Sequence, residues 1–291
     1  VASAIALDAN NPQYLRDASL LSLNVLREEL QKPVASADTE TGKRIQNLIA
    51  TAVQLAQQAT TIAPLDTRNW VNLATVYQSL VGAVDNVEAV GADALAKASE
   101  LRPGDPAFDN RTGELWMARA DRSGSLARGA NAEAFRKDRQ ESLAKAEEAF
   151  KKAIAKVPSY GWSIYNLGAV YDRQGKASDA IAQLERIAPY NSDHPTLMFE
   201  LGLLYLRVGN RASAELALGR TVLLAPQYAN ARWYLGLLLE EKGDISGALE
   251  QFREILKNNP DNKDLQNKIN LLASGQAPTD APSPIDTKPI Q

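Results

Sequence analysis

The sequence predicts an all-α protein, an α-solenoid of stacked antiparallel helix pairs closed by a capping helix and a proline-rich tail. Three observations carry that prediction. The string Leu167-Gly168…Tyr171…Gly175…Ala180 recurs 34 residues later as Leu201-Gly202…Tyr205…Gly209…Ala214, and again as Leu235-Gly236…Leu239…Gly243…Ala248. Small residues (Gly168, Gly202 and Gly236; Ala180, Ala214 and Ala248) sit where two helices approach closely, and Leu184, Leu218 and Phe252 fill the gaps between them. Pro226 and Pro260 then close a unit shortly before the next begins. Each unit reads as helix A, a glycine turn, helix B and a proline stop.

This pattern resembles the tetratricopeptide repeat, whose signature is an aromatic, Leu-Gly or Leu-Ala, Tyr, Ala, an aromatic and Pro over one repeat. The resemblance is specific across 160–260, three successive units. It implies a right-handed solenoid with helix A side chains lining a concave face.

Projected toward the N-terminus, the register finds stretched units. Residues 1–11 (VASAIAL, then DANNP) read as the end of a helix B whose start is missing, so the chain is expected to be a fragment. The unit 12–65 pairs a helix A over Gln13–Glu29 with a helix B through Ala52, Ala56 and Ala59, joined by a polar connection, Gln31–Thr41. In 66–104, Trp70, Leu73, Ala74 and Tyr77 mark helix A, and helix B is expected over Ala92–Leu101 after a lengthened turn. In 105–159, Gly113 and Trp116 mark helix A, while helix B (Ala146, Phe150, Ala153) comes about 21 residues late. Ser123-Gly-Ser125 and Gly129-Ala-Asn131 read as loop, with Asn131 capping one continuous helix from Ala132 to Lys156. After the regular repeats, 261–275 reads as the capping helix, with Leu265, Ile269, Leu271 and Leu272 on its apolar side. The remaining 276–291, with Pro278, Pro282, Pro284 and Pro289, reads as a flexible or polyproline-like tail.

Composition narrows the chemistry. The chain has 291 residues, no cysteine, one histidine and a net charge of -3. Disulfides, thiolate metal sites and cysteine nucleophiles are excluded, as is a histidine cluster for zinc. The near balance of charge argues against a nucleic-acid binder, and no apolar run, Leu201–Leu206 included, is long enough to span a bilayer. Phosphate-loop, dinucleotide-binding and zinc-protease motifs are absent; Ser142 and Lys145 spell SxxK without a partner motif. His194 is expected as a turn residue ahead of a helix A, and Asn110-Arg-Thr112 is a formal glycosylation sequon. The expectation is a non-enzyme with no cofactor and no metal.

Binding is expected in the groove. The resemblance places the second, fifth, ninth, twelfth and thirteenth residues of each unit there, which selects Trp162, Tyr165, Phe199, Leu203, Arg207, Trp233 and Leu237. Tyr165, Phe199 and Trp233, at 34-residue intervals, are expected to form an aromatic ladder fit for an extended peptide; the same spacing also suits rings packed into a core. Some repeats of this family clamp a C-terminal carboxylate with paired lysines, but Tyr165, Asn166, Ala169, Thr196 and Glu200 occupy those positions here. Arg119–Lys156 holds ten basic and six acidic residues, a mildly basic stretch.

The segment Ala63–Tyr77 (APLDTRNWVNLATVY), followed by Val84–Glu88 (VDNVE), is similar to the extracytoplasmic repeat region of bacterial O-antigen-ligase-like membrane proteins. That resemblance implies a missing upstream membrane region and an extracytoplasmic cell-envelope or extracellular location; without it the expected location is cytoplasmic. Three functions follow as expectations: a scaffold binding a peptide or partner segment in its groove, a self-assembling surface subunit joined head to tail, or an accessory domain of a membrane glycan ligase or polymerase. The partner is a protein or peptide, or another copy of the chain.

Overall fold

The computed structural model describes residues 8, 10–31 and 39–275. The half-repeat expected over 1–7, most of the polar connection and the tail from 276 onward lie outside the described residues. The fold is the all-α solenoid expected from the repeats, and no described helix is long and apolar enough to cross a membrane. Two compact units divide the chain, Val1–Val170 and Tyr171–Gln291.

In the first unit α1 (Pro12–Gln31) pairs with α2 (Thr39–Ile62), α3 (Thr67–Ser79) with α4 (Val87–Leu101), and α5 (Pro106–Leu126) with α6 (Ala132–Lys156), before α7 (Gly161–Arg173) begins. Local chemistry sets the ends. Asp66 caps α3 by accepting from the Arg68 amide, and Asp105 caps α5 by accepting from Ala107, with Pro106 in its first turn. Pro64, Pro103 and Pro158 follow the ends of α2, α4 and α6. The core runs through Leu23, Leu26, Ala52, Ala56, Leu73, Ala74, Tyr77, Leu95 and Leu115. Two aromatic heads stay satisfied: Tyr77 accepts from Gln57 Nε2 at 3.0 Å, and Trp70 Nε1 donates to Pro64 O at 2.7 Å.

Two expectations are corrected here. Helix α4 starts at Val87, not Ala92, because the chain turns sooner: Gly82 and Asn86 take left-handed conformations (φ 87° and 60°) just ahead of it. Ser123-Gly-Ser125 is helix rather than loop. The additional residues of 105–159 lengthen both α5 and α6, and Ser123 is buried on their contact, its Oγ donating to Asp138. A Cβ on Gly124 would come within 3.1 Å of the Arg139 stem, so this glycine serves close helix approach. Asn131 precedes α6 but makes no side-chain cap bond.

Arg119 grips Asp138 with two nitrogens, at 2.6 Å from Nη2 and 3.0 Å from Nε. That hydrogen bond holds the Asp138 carboxyl below its ordinary value, with Ser123 adding to the effect and burial opposing it. A depressed folded value means the stabilisation is present above the unfolded pKa and is lost as pH falls through the folded one. Asp138→Asn is therefore expected to flatten the acid limb of stability below about pH 4, measured as the urea midpoint from pH 7 to pH 3. An unchanged acid limb would show that Asp138 does not contribute.

In the second unit α8 (Ala177–Ile187), α9 (Pro195–Arg207), α10 (Arg211–Leu224), α11 (Ala229–Lys242) and α12 (Ile245–Asn258) follow the end of α7, and α13 (Lys263–Ala273) closes it. Gly175, Gly209 and Gly243 take φ of 77°, 76° and 85° at the turns, where a side chain would be strained. Ala180, Ala214 and Ala248 have no exposed surface. Gly202 lies against Leu218, and Gly236 against Phe252. Gly168 is buried within α7.

Candidate protein-interaction site

The helix-A face of the first unit is assembled by α1, α3 and α5. Asn69, fully buried on α3, ties the end of α2 to its own helix by donating to Ala59 O and Ala63 O, each at 2.9 Å. Arg16 of α1 reaches the same place: its Nη1 donates to Asn69 Oδ1 at 2.5 Å and lies 3.5 Å from Asp66 Oδ2. Asp66 also takes the Arg68 guanidinium, at 2.9 Å from Nε and 2.8 Å from Nη2. The Arg68 hydrogen bond holds its carboxyl below the usual range. Asn72 donates to Ser19 Oγ at 2.9 Å, a buried link between α1 and α3.

Above these links is an open cavity of about 420 Å³, lined among others by Leu20, Val71, Thr75, Arg68, Arg102 and Phe108. Arg102 pairs with Asp105 at 2.9 Å, and its guanidinium carbon lies 5.7 Å from the centre of the Phe108 ring. At the edge, Arg111 of α5 donates from Nη2 to Thr75 Oγ1 at 2.9 Å and Gln78 Oε1 at 3.1 Å. Both acceptors are neutral. Burial pulls this guanidinium below its ordinary value, with the charge of Glu114 opposing. An apolar floor thus meets a cationic edge held by uncharged oxygens.

Beyond Arg111 a buried polar spine joins α5 to α7. Ser163 Oγ donates to Asn110 Oδ1 at 2.9 Å, Asn110 Nδ2 donates to Glu114 Oε1 at 2.8 Å, and Asn166 Nδ2 lies 3.3 Å from Asn110 Oδ1. The sequon asparagine is thereby buried with its amide engaged, which leaves no room for a glycan on the folded chain.

The residues expected from sequence fall into three environments. Trp162, at the start of α7, is 70% exposed, and Tyr165 one turn on is half-buried. Phe199 and Leu203 of α9 are half-buried; the Phe199 ring lies 4.8 Å from Tyr228 and 6.2 Å from Tyr234. Arg207 pairs with Asp172. Trp233 and Leu237 of α11 are core, Trp233 only 8% exposed with its ring 5.2 Å from Phe252. The capping helix explains this burial. Lys268 of α13 pairs with Glu240 at 2.7 Å and places its ammonium 5.9 Å from the Trp233 ring and 5.3 Å from Phe252. His194 is exposed just before α9 and makes no side-chain cap bond. No cluster of metal-ligating side chains occurs among the described residues.

Sequence reasoning missed Arg16, Phe108 and Arg111. The signal for part of this face was present: the groove positions, projected onto the stretched unit 66–104, select Arg68, Val71 and Thr75.

Comparison with known proteins agrees with the fold. The family model of the tetratricopeptide repeat matches residues 139–198 and 199–263. A BBSome complex member, bbs-4 of Caenorhabditis elegans, is 28% identical over 138 residues, spanning 45% of this chain and 30% of that protein. Among solved structures, YrrB, a TPR protein with an unusual peptide-binding site, matches with a TM-score of 0.54 and 18% identity, over 74% of this chain and 97% of its own. PilW, a widely conserved type IV pilus biogenesis factor, matches with a TM-score of 0.51 and 19% identity, over 86% of this chain and 97% of its own. At these identities the solved structures speak to the fold.

Proposed function

We propose, from the premise that the chain is a tetratricopeptide repeat protein, that it is a non-catalytic scaffold holding a segment of a protein partner on the α1–α3–α5 face. The observation that carries this reading is the open cavity with Leu20, Val71 and Phe108 in its lining and Arg111 beside it, bonded only to neutral oxygens by its Nη2. A segment with a carboxylate beside a leucine or aromatic side chain satisfies both parts. The carboxylate gives the half-buried guanidinium a charged acceptor, and the apolar side chain fills the floor at low entropic cost. A protein of like fold carries a peptide-binding site, which supports the reading. Leu20, 38% exposed, offers this face more accessible surface than the core residues Trp233 and Leu237 offer theirs, while Phe108 belongs to the core beneath it.

Random peptides displayed on phage and panned against the full chain provide the test. Selected peptides are expected to be rich in Asp or Glu next to Leu or Phe, and Arg111→Glu is expected to weaken them more than tenfold, a loss of about 1.4 kcal/mol or more. Lys257→Glu, on the exposed side of α12, is expected to leave them unchanged. Peptides indifferent to Arg111→Glu would remove this face as the site.

A further inference from the structure

The outward side of α10 is unlike that of its neighbours. Leu216 and Leu223 are 76% and 69% exposed on it. With exposed Ala212 and with Gly219, whose added Cβ would meet nothing within 4 Å, they form one stripe about 60° wide at 3.6 residues per turn. The equivalent positions one repeat earlier are Ser178, Ala182, Glu185 and Pro189; one repeat later they are Ser246, Glu250, Arg253 and Lys257. Within the neighbouring helices that face is thus polar or small, Pro189 lying in the short 3-10 turn after α8, and it is apolar here. The core cannot be the reason, since Ala214, Ala217 and Leu218 already supply it from the opposite side.

We propose that this stripe is a homodimer seam, α10 against α10 of a second copy, parallel and in register. Ala212, Leu216, Gly219 and Leu223 occupy successive d, a, d and a positions of a heptad. The small d residues let the two backbones approach, and the leucines cover the seam. Charge selects the occupant and its direction. Glu215 falls at g and Arg220 at the following e, on opposite flanks of the stripe. In a parallel two-fold pair each Glu215 faces the other copy's Arg220, five residues on, giving two reciprocal ion pairs. Arg220 is exposed, and among the described residues its Nε donates to Ser192 O at 3.2 Å. Glu215, bound to Lys242 at 3.0 Å, is half-buried on its flank. A seam of one 14-residue helix is small, which suits a weak, concentration-dependent dimer. It uses the helix-B side of the second unit and does not depend on the groove reading.

Sedimentation equilibrium of the full chain across a hundredfold dilution tests it. The expected mass rises from 31.6 kDa toward twice that value, and Leu216→Glu/Leu223→Glu is expected to stay monomeric throughout with parental circular dichroism and melting. Because the chain has no cysteine, Gly219→Cys is a unique thiol that an in-register seam brings to its own copy. It is expected to form a disulfide dimer under oxidised glutathione at least tenfold faster than Ser178→Cys, an exposed thiol on the outward face of α8 one repeat earlier. A parent of constant monomer mass, a dimer that survives the double glutamate variant, or equal cross-linking of the two thiols would each overturn the proposal.

Discussion

Arg122→Ala is expected to destabilise the first unit by about 3–5 kcal/mol, the cost of leaving a buried charge without its partner. Glu88, in the first turn of α4, has no exposed surface. Its carboxylate receives Arg122 Nη2 of α5, 3.0 Å from Oε1 and 3.3 Å from Oε2, and the arginine keeps about a quarter of its side chain in solvent. The two partners are therefore not equivalent. Removing Glu88 leaves a guanidinium that can turn to water, so Glu88→Gln is expected to cost less. Removing Arg122 leaves a carboxylate that cannot turn. The charge also supports α4 directly, since Asn86 makes no side-chain cap bond there and a first-turn carboxylate complements the unpaired amides. Glu88→Gln/Arg122→Met, which removes both charges at similar volume, is expected to recover most of the loss. Urea unfolding gives the size, and amide exchange over Val87–Leu101 gives the place. Arg122→Ala within 1 kcal/mol of the parent would show that water reaches Glu88 without it.

How far the sequence reveals such features depends on whether they repeat. Helices α8, α10 and α12 are legible because each small residue recurs at one period against one large partner, so Gly202 predicts Leu218 and Gly236 predicts Phe252. The α5–α6 extension breaks the period, and Ser123-Gly-Ser125 then carries the composition of a loop although it packs as helix. Its cause is Asp138, fifteen residues on, which no local pattern connects to Ser123. The same distance hides the burial of Trp233. Its position in the repeat matches that of Phe199, but α13 follows it in place of another helix pair, and Lys268 covers the ring. On the candidate face, Arg68, Val71 and Thr75 obey the repeat's spacing, whereas Arg16 and Arg111 matter through contacts 53 and 36 residues away in sequence. Spacing reports what a helix presents; it does not report what another helix brings to it.

Glycine-to-valine changes at the helix contacts are expected to separate rigid neighbours from yielding ones. A Cβ on Gly113 would stand 2.5 Å from Phe150 Cε1 and Cζ, one on Gly236 2.6 Å from Phe252 Cε1, and one on Gly202 2.7 Å from Leu218 Cγ. All three partners are fully buried. The distances are nearly equal, but the responses differ in kind. A leucine can change rotamer within its space, whereas an aromatic ring displaced as a plane pushes every atom on its far side. Overpacking costs about 1–3 kcal/mol, and Gly113→Val and Gly236→Val are expected at the top of that range with Gly202→Val at the bottom. Alanine at the same positions gains up to about 1 kcal/mol in helix propensity, which offsets part of the clash and narrows the spread. Gly42→Ala on α2, where a Cβ meets nothing within 4 Å, isolates that propensity gain and is expected to raise stability. If the ring is the obstacle, Phe150→Leu should cost less in the Gly113→Val background than in the parent, a coupling read from the four urea midpoints. Additive effects, or a Gly113→Val chain melting with the parent, would mean that the backbones part rather than the ring.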